Sequence, residues 1–352
     1  PVRTLLSVLA IAVEVTMILT LVGVSHGTID SQKDRARAVG ADIVVRPKGT
    51  SVISGLSSAP MSDKYLGLLM QQPHVAAVTG TVVQALTFPD SVTGIDFPAF
   101  NAMSGGFRYI HGGDPVRDDD MVVDEDYAAQ HHLGVGSHIR LIAHDWNIAG
   151  VAEGGKLARV AVKLKTLQNL TGAQGHLTMI WVKLDDSTLA DKVAQQLKGP
   201  LDDDQIYSIN QLMDAYSISN LGMLKAFIGV VITVATIVGF IVVFMAMYTA
   251  VLERTREIGI IKAVGGGSGL VLGILLRETL MLAVLGTALG IGLTYGTQWL
   301  MKHSVPASLV QETVYDWWLY AGLIAIVGAM LGAIVPGYKA VQQDVTEALS
   351  YE

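Results

Sequence analysis

Four stretches of the chain, residues 5–24, 226–252, 270–300 and 317–336, are long, apolar and nearly free of charge, whereas 26–220 mixes polar and apolar positions at short range. A helix needs about 20 residues to cross the apolar core of a bilayer, and each stretch reaches that length. The pattern predicts a membrane α-helical protein of four transmembrane helices, with a large α+β extracytoplasmic domain between helices 1 and 2. The expected boundaries are a first membrane helix at 1–25, the α+β domain at 26–204, and a stalk with the second membrane helix at 205–252. A cytoplasmic coupling helix and loop at 253–269 and a third membrane helix at 270–300 follow. A short outer loop at 301–316, a fourth membrane helix at 317–338 and a cytoplasmic tail at 339–352 complete the chain. The first run is too long for the apolar region of a signal peptide, and no clear small-residue cleavage site follows it. The chain opens on Pro1 and not on methionine, so a few residues are expected upstream.

Within the domain, ADIVVR at 41–46 reads as a strand stopped by Pro47, and 75–88 as a second alternating stretch. MVV at 121–123 predicts a short strand. Asp124, Glu125 and Asp126 then open a helix, since acids in a first turn suit the helix dipole. That helix is expected to run through His132 and stop at Gly134. Strands are expected at 137–142, 146–151 and 177–184, and a helix capped by Asp185, Asp186 and Ser187 at 188–197. From 205 to 252 no strong breaker interrupts the chain. The apolar spacing of Ile206, Ile209, Leu212, Met213 and Tyr216 predicts one long helix leading into the second span.

The membrane runs carry their own markers. Glu14 lies near the middle of the first, where a carboxylate costs about 2.5–3.5 kcal/mol on insertion scales. It should face a partner helix or be protonated, either as a gating group or as a tolerated carboxyl bonded to a neighbouring helix. Gly286/Gly290, Gly292/Gly296 and Gly328/Gly332 are small-xxx-small spacings that read as packing faces. Trp317, Trp318 and Tyr320 fit an interfacial belt, and Pro336 with Gly337 is expected to end the last span.

Composition sharpens this picture. Hydrophobic residues make up 51% and charged ones 16%, with mean hydropathy +0.46, against about 25% charged in ordinary soluble domains. The formal charge is −7, and 26–220 supplies most of the surplus with 16 Lys+Arg against 22 Asp+Glu. There is no basic stripe for nucleic acid and no cysteine for disulfides, thiol catalysis or Cys-based metal sites. Arg254, Arg256, Lys262, Arg277 and Lys339 flank the 253–269 loop and the tail, and Arg3 precedes the first span, whereas 301–316 holds only Lys302. By the positive-inside rule both termini and the 253–269 loop are cytoplasmic. The sequence carries no G-x-x-x-x-G-K-[ST] loop; GGGSG at 265–269 lacks the lysine and follows a predicted helix, not a strand. No G-x-S-x-G elbow or H-E-x-x-H helix is present. His131, His132, His138 and His144 lack the spacing of convergent metal ligands. The acids at 118–120 and 124–126 lack an EF-hand pattern and read as a solvated turn plus a helix start. Asn169-Leu170-Thr171 has the form of a glycosylation sequon.

The 253–265 run, ERTREIGIIKAVG, places charges first and an apolar set after them. On a helix, Ile258, Ile261 and Lys262 share a face with Arg254, and Ile260 and Val264 extend the apolar stripe. Such a helix at the membrane surface can present its stripe to a partner or to lipid.

This run resembles the signature of MacB/FtsX-like permeases of ABC transporters, close to E-R-x-x-E-I-G-I-x-[KR]-A-[LV]-G. Glu253, Arg254, Glu257, Ile258, Gly259, Ile260, Lys262, Ala263 and Gly265 fit it. At the carboxyl end Pro336, Lys339, Asp344, Glu347, Ala348 and Leu349 match the family's closing pattern, with Val345, Thr346 and Ser350 departing from it. GADIVV at 40–45 and LGVG at 133–136 are similar to the family's periplasmic core domain. The family often has glycines in the first span where this chain has Ala10, Ala12 and Glu14.

The resemblance implies a permease subunit that has no cofactor of its own and is not itself an enzyme, in the bacterial inner membrane. ATP and magnesium would belong to a partner ABC ATPase dimer. A second permease chain, in a homodimer or heterodimer, is a further implied partner, and the family also admits a periplasmic adaptor. ATPase contact would fall to Glu253, Arg254, Glu257, Ile258, Ile261 and Lys262. ATP-driven closure would then move the outer domain, the mode called mechanotransmission, in the service of efflux or envelope export. A cell-division-type regulator of a wall hydrolase, a membrane-anchored sensor without an ATPase and an intramembrane enzyme stay open as alternatives.

Overall fold

The computed structural model describes residues 2–48, 61–86, 90–198, 204–216, 222–304 and 309–342. Two compact units emerge, one of Pro1–Gly27, Gly222–Ser304 and Gln311–Glu352, the other of Thr28–Leu221 with Val305–Val310. Helix α1 (Val2–Arg37) opens the chain, followed by β1 (Ile43–Pro47), β2 (Met61–Ser62), α2 (Lys64–Met70), β3 (Val75–Ala85), β4 (Ser91–Ile95) and α3 (Phe97–Ser104). Next come β5 (Tyr109–Gly112), β6 (Asp120–Asp124), α4 (Glu125–Gln130), β7 (His138–Leu141), β8 (His144–Ala152) and β9 (Val160–Lys163). Then follow α5 (Leu164–Thr171), β10 (His176–Leu177), β11 (Met179–Leu184), α6 (Ala190–Leu197), β12 (Asp204–Ser208) and α7 (Ile209–Ala215). The last elements are α8 (Gly222–Glu253), α9 (Thr255–Ala263), α10 (Ser268–Ser304) and α11 (Asp316–Gln342).

The α+β unit is built on a ten-stranded sheet in the order β12-β1-β11-β3-β4-β9-β6-β8-β5, with β7 also paired to β8. Two pairs, β4/β9 and β6/β8, are parallel and the others antiparallel. One face is apolar by simple alternation: Ile43 and Val45, Met121 and Val123, Val160 and Val162, Ile180 and Val182 all join one core. Leu69 of α2, Leu167 of α5, and Val193 and Leu197 of α6 cover it. In β8 Trp146 and Ile148 point inward, and a register shift opposite Met121/Val122 brings Val151 into the same core. A bulge of this kind lets the alternation change phase without breaking the sheet. A second irregularity falls in β5 between Tyr109 and His111. Gly112 follows at φ +75, where an added Cβ would lie 2.0 Å from the Ala149 carbonyl oxygen.

Several expectations are corrected here. Residues 205–252 are not one helix: 204–208 pair with β1 as β12, with Ile206 opposite Val45, and α7 is a separate short helix. Ile206, Ile209, Leu212 and Tyr216 are spaced as on a helix, but Ile206 lies in the edge strand and only the residues from Ile209 on belong to α7. The 177–184 stretch divides at Thr178 between β10, which pairs with β2, and β11, which pairs with β3. Helix α4 ends at Gln130, before Gly134, because His132 takes φ +54. The acidic run is not a solvated turn throughout. Asp118 is exposed and pairs with Lys163, but Asp120 and Asp124 are each only 4% exposed. The expected end of the 75–88 strand and the 343–352 tail fall outside the described residues.

In the other unit, four helices are long and apolar enough to cross a membrane: Thr4–Arg37, Leu224–Glu253, Ser268–Lys302 and Asp316–Gln342. Two of the three glycine pairs work as packing faces. A Cβ on Gly286 would meet Ile11 at 2.7 Å and one on Gly290 the Ala12 carbonyl at 2.7 Å, so α10 lies directly against α1. Gly332 likewise meets the Phe240 carbonyl, and Gly328 meets Thr236, seating α11 on α8. Gly292 and Gly296 meet nothing within 4 Å. Tyr295 and Tyr315 both meet the Trp318 ring, and Trp317 meets Tyr320. Pro336 does not end α11, which runs on to Gln342. Proline's fixed φ suits a helix, and packing can absorb the one lost bond.

Candidate coupling site

The site predicted at 253–265 is built from the end of α8, a one-residue break, and the short helix α9. Arg254 interrupts the helix at φ −98, ψ 14. Its guanidinium turns to α10 and pairs with Glu278 at 3.0 Å. Thr255 is buried and returns its hydroxyl to the Val251 and Leu252 carbonyls. At the other end, Gly265 adopts φ +96 and its N–H donates to the Lys262 carbonyl, while Gly266 N–H donates to the Ile261 carbonyl. This pair of bonds is the Schellman stop that a left-handed glycine permits. A Cβ on Gly266 would lie 2.6 Å from Ile261. The glycine run at 265–269 therefore caps one helix ahead of the next.

The two faces of α9 differ in what they meet. Ile258 is 7% exposed and joins the bundle core with Met247, Val251, Val271, Leu275 and Ala340. Ile261 packs partly against the same cluster, and Lys262 donates to the Val341 carbonyl of α11 at 2.8 Å. Arg256, Glu257, Ile260, Ala263 and Val264 are exposed, Ile260 at 50% and Val264 at 85%.

The apolar stripe read from the sequence is thus two stripes. Positions 255, 258 and 262 face the bundle, and 256, 260 and 264 face away. Of the six residues expected to meet a partner, Glu253, Arg254 and Glu257 are exposed, Ile261 and Lys262 are half-buried, and Ile258 is turned inward. Arg256 escaped notice as a candidate, and Ile260 and Val264 were read only as part of the stripe. Their spacing of four was the available signal.

Glu14, the remaining singled-out residue, is buried in the bundle at 6% exposure. Its carboxyl sits over Gly239 of α8, where a Cβ would fall 1.9 Å from Oε2, and Thr236 one turn away also reaches it. Among the described residues no group of His, Cys, Asp and Glu is arranged to hold a metal ion.

Comparison with known proteins places this architecture. The model of the MacB-like periplasmic core domain matches residues 4–199, and that of the FtsX-like permease C-terminal region matches 229–345. The chain is a MacB/FtsX-like ABC transporter permease. A macrolide export ATP-binding/permease protein MacB from Hahella chejuensis is 25% identical over 99% of this chain and 58% of its own length. The ABC transporter permease YknZ of Bacillus subtilis is 34% identical over 40% of this chain and 37% of its own. The chain spans only about a third to three-fifths of the curated relatives it matches. The solved periplasmic region of MacB from Actinobacillus actinomycetemcomitans covers 51% of this chain and 94% of its own at 17% identity, with a TM-score of 0.39. The four apolar helices and the permease match make this MacB/FtsX-like permease a multi-pass inner membrane protein with a periplasmic core domain.

Proposed function

We propose that this permease couples ATP hydrolysis by an ABC ATPase dimer to movement of its periplasmic domain, in efflux or envelope export. The observation that carries this reading is the two-faced α9. One face is fixed to the bundle by Ile258, Lys262 and the Arg254–Glu278 pair, and the other offers Arg256, Glu257, Ile260 and Val264. A helix that transmits force needs both: a partner surface with apolar anchors and charge, and attachment rigid enough that displacement reaches the spans. The ATPase would dock on the exposed face with ATP and magnesium bound in its own subunits. Both termini and α9 would lie in the cytoplasm, and two permease chains would pair over the ATPase dimer.

The test is purification of the tagged full chain from its host in mild detergent, with bound proteins identified by mass spectrometry. An ATPase subunit should co-purify and be lost in Glu257→Arg and Ile260→Asp, both exposed positions at which the chain itself stays folded. Recovery of the chain alone, even after cross-linking, would sink this reading and favour a sensor that works without an ATPase.

A further inference from the structure

Among the described residues Glu14 has no charged partner in the bundle. Between Arg3 and His26 it is the only ionisable residue of α1, and α8 has none between Lys225 and Glu253 apart from Tyr248. Helix α10 has none between Glu278 and Lys302 apart from Tyr295, and α11 none between Asp316 and Lys339 apart from Tyr320 and Tyr338. Tyr295, Tyr320 and Tyr338 are exposed, and Tyr248 stacks on Phe244 with Lys339 over its ring. The neighbours of Glu14 on its own helix, Ile11, Val15 and Ile18, are fully buried apolar side chains. The carboxyl nevertheless has a fitted seat: Gly239 supplies the missing Cβ volume, and Oε1 is buried with no hydrogen-bond partner. Thr236 is the polar side chain that reaches it. The single hydroxyl proton of Thr236 is directed at the Ile232 carbonyl of its own helix, 2.9 Å away, the usual back-bond of a hydroxyl in a helix. With that proton so engaged, the Thr236 oxygen is open to accept a hydrogen bond from a protonated Glu14.

From this geometry we propose that Glu14 is a proton-binding site inside the bundle. It is carried as the neutral carboxylic acid, donates to the Thr236 oxygen, and is seated in the notch that Gly239 leaves in α8. The carboxyl can ionise only where water or a cation reaches it, because a bare carboxylate in apolar surroundings has nothing to replace its hydration. Any separation of α1 from α8 that opens the notch to water therefore frees the proton, and closure takes it up again. The spans acquire a proton-linked seam with no proton pathway of their own.

The test compares infrared spectra of the full chain and of Glu14→Gln, both reconstituted in lipid at neutral pH. The difference spectrum should contain the C=O stretch of a protonated carboxyl, shifted in deuterium oxide and absent from the variant. A difference confined to ionised-carboxylate bands would overturn the proposal. Should Glu14→Gln fail to insert, the wild-type chain is treated with the apolar reagent dicyclohexylcarbodiimide. The acid proton passes to a carbodiimide nitrogen and the carboxyl oxygen bonds its central carbon; acyl transfer then gives a stable N-acylurea with no leaving group. A single adduct on the peptide bearing Glu14 is expected, and its absence would overturn the proposal equally.

Discussion

The Asp120 carboxylate accepts from the backbone N–H groups of Val116 and Arg117, from the Arg117 guanidinium and from the Asn147 amide at 2.8 Å. Burial alone would raise this carboxyl, but those donors together hold it below the usual carboxylate range. Because the folded value is lowered, the unfolded chain takes up the proton first, and acid favours unfolding. The stability Asp120 contributes should be fully present above the ordinary carboxylate value of about 3.9 and be lost as the pH falls through the folded value. Thermal unfolding of the full chain in detergent across pH 7 to 3 checks this, with Asp120→Asn as the control: less stable at neutral pH, and losing less on acidification. Asp124, four residues on, is occupied differently. It caps α4 through the Tyr127 N–H and takes Arg35 of α1 at 3.2 Å, with Arg159 at 3.6 Å. The helix start at Asp124 was legible from the run of acids alone. That Arg35, 89 positions earlier, folds back onto it was not, since no local pattern encodes a contact at that separation.

At the scale of elements, α9 shows what periodicity reveals and what it hides. The helix and its charge-then-apolar order were evident from 253–265, and so was the family signature. Which half of the apolar set faces inward was not, because Ile258, Ile260, Ile261 and Val264 surround nearly the whole helix and only the neighbours decide. The consequence can be measured. Truncating Ile258, in the core with Val251 and Leu275, by Ile258→Ala should destabilise the bundle by about 2–4 kcal/mol, the range for a buried isoleucine. Ile260→Ala, with half its surface exposed, should leave the melting temperature unchanged while weakening ATPase recovery. Equal losses of stability in both variants would mean that α9 is rotated relative to its observed setting. The missed strand β12 has a related cause: Ile206 and Tyr207 suit either a helix or an edge strand, and pairing with β1 settles it through long-range backbone hydrogen bonds.

Within the membrane unit, among the described residues, two side-chain hydrogen bonds join α1 to α10 and a backbone bond ties α1 to the segment before α11. The Thr16 hydroxyl is shared between the Ala12 carbonyl of its own helix at 2.7 Å and the Gly290 carbonyl at 3.0 Å, Thr20 and Thr297 share a hydrogen bond at 3.0 Å, and the Glu312 N–H donates to the Gly23 carbonyl. Gln298 and Gln311 extend the same cluster through the Gln311 carbonyl and Thr297. Each such bond is worth only about 0.6 kcal/mol in a membrane, but two along one seam, with the Gly286/Gly290 contact beside them, hold α1 and α10 together as a pair. Among the described residues, Glu14 in its notch is a polar group of α1 set against α8. Under the coupling proposed above, a bundle that rearranges in response to an ATPase should part along the α1/α8 seam and keep α1 with α10. The cysteine-free sequence allows this to be tested without removing any native thiol. Thr20→Cys combined with Thr297→Cys places two sulfurs where two hydroxyls now touch, so oxidation should give an intramolecular disulfide, visible as a reductant-sensitive mobility shift. If α1 and α10 move as one, the locked chain should support ATP hydrolysis in the assembled complex as well as the reduced one does. Loss of hydrolysis on oxidation, restored by reductant, would place the moving seam between α1 and α10 instead, and would make the Glu14 contact the fixed point.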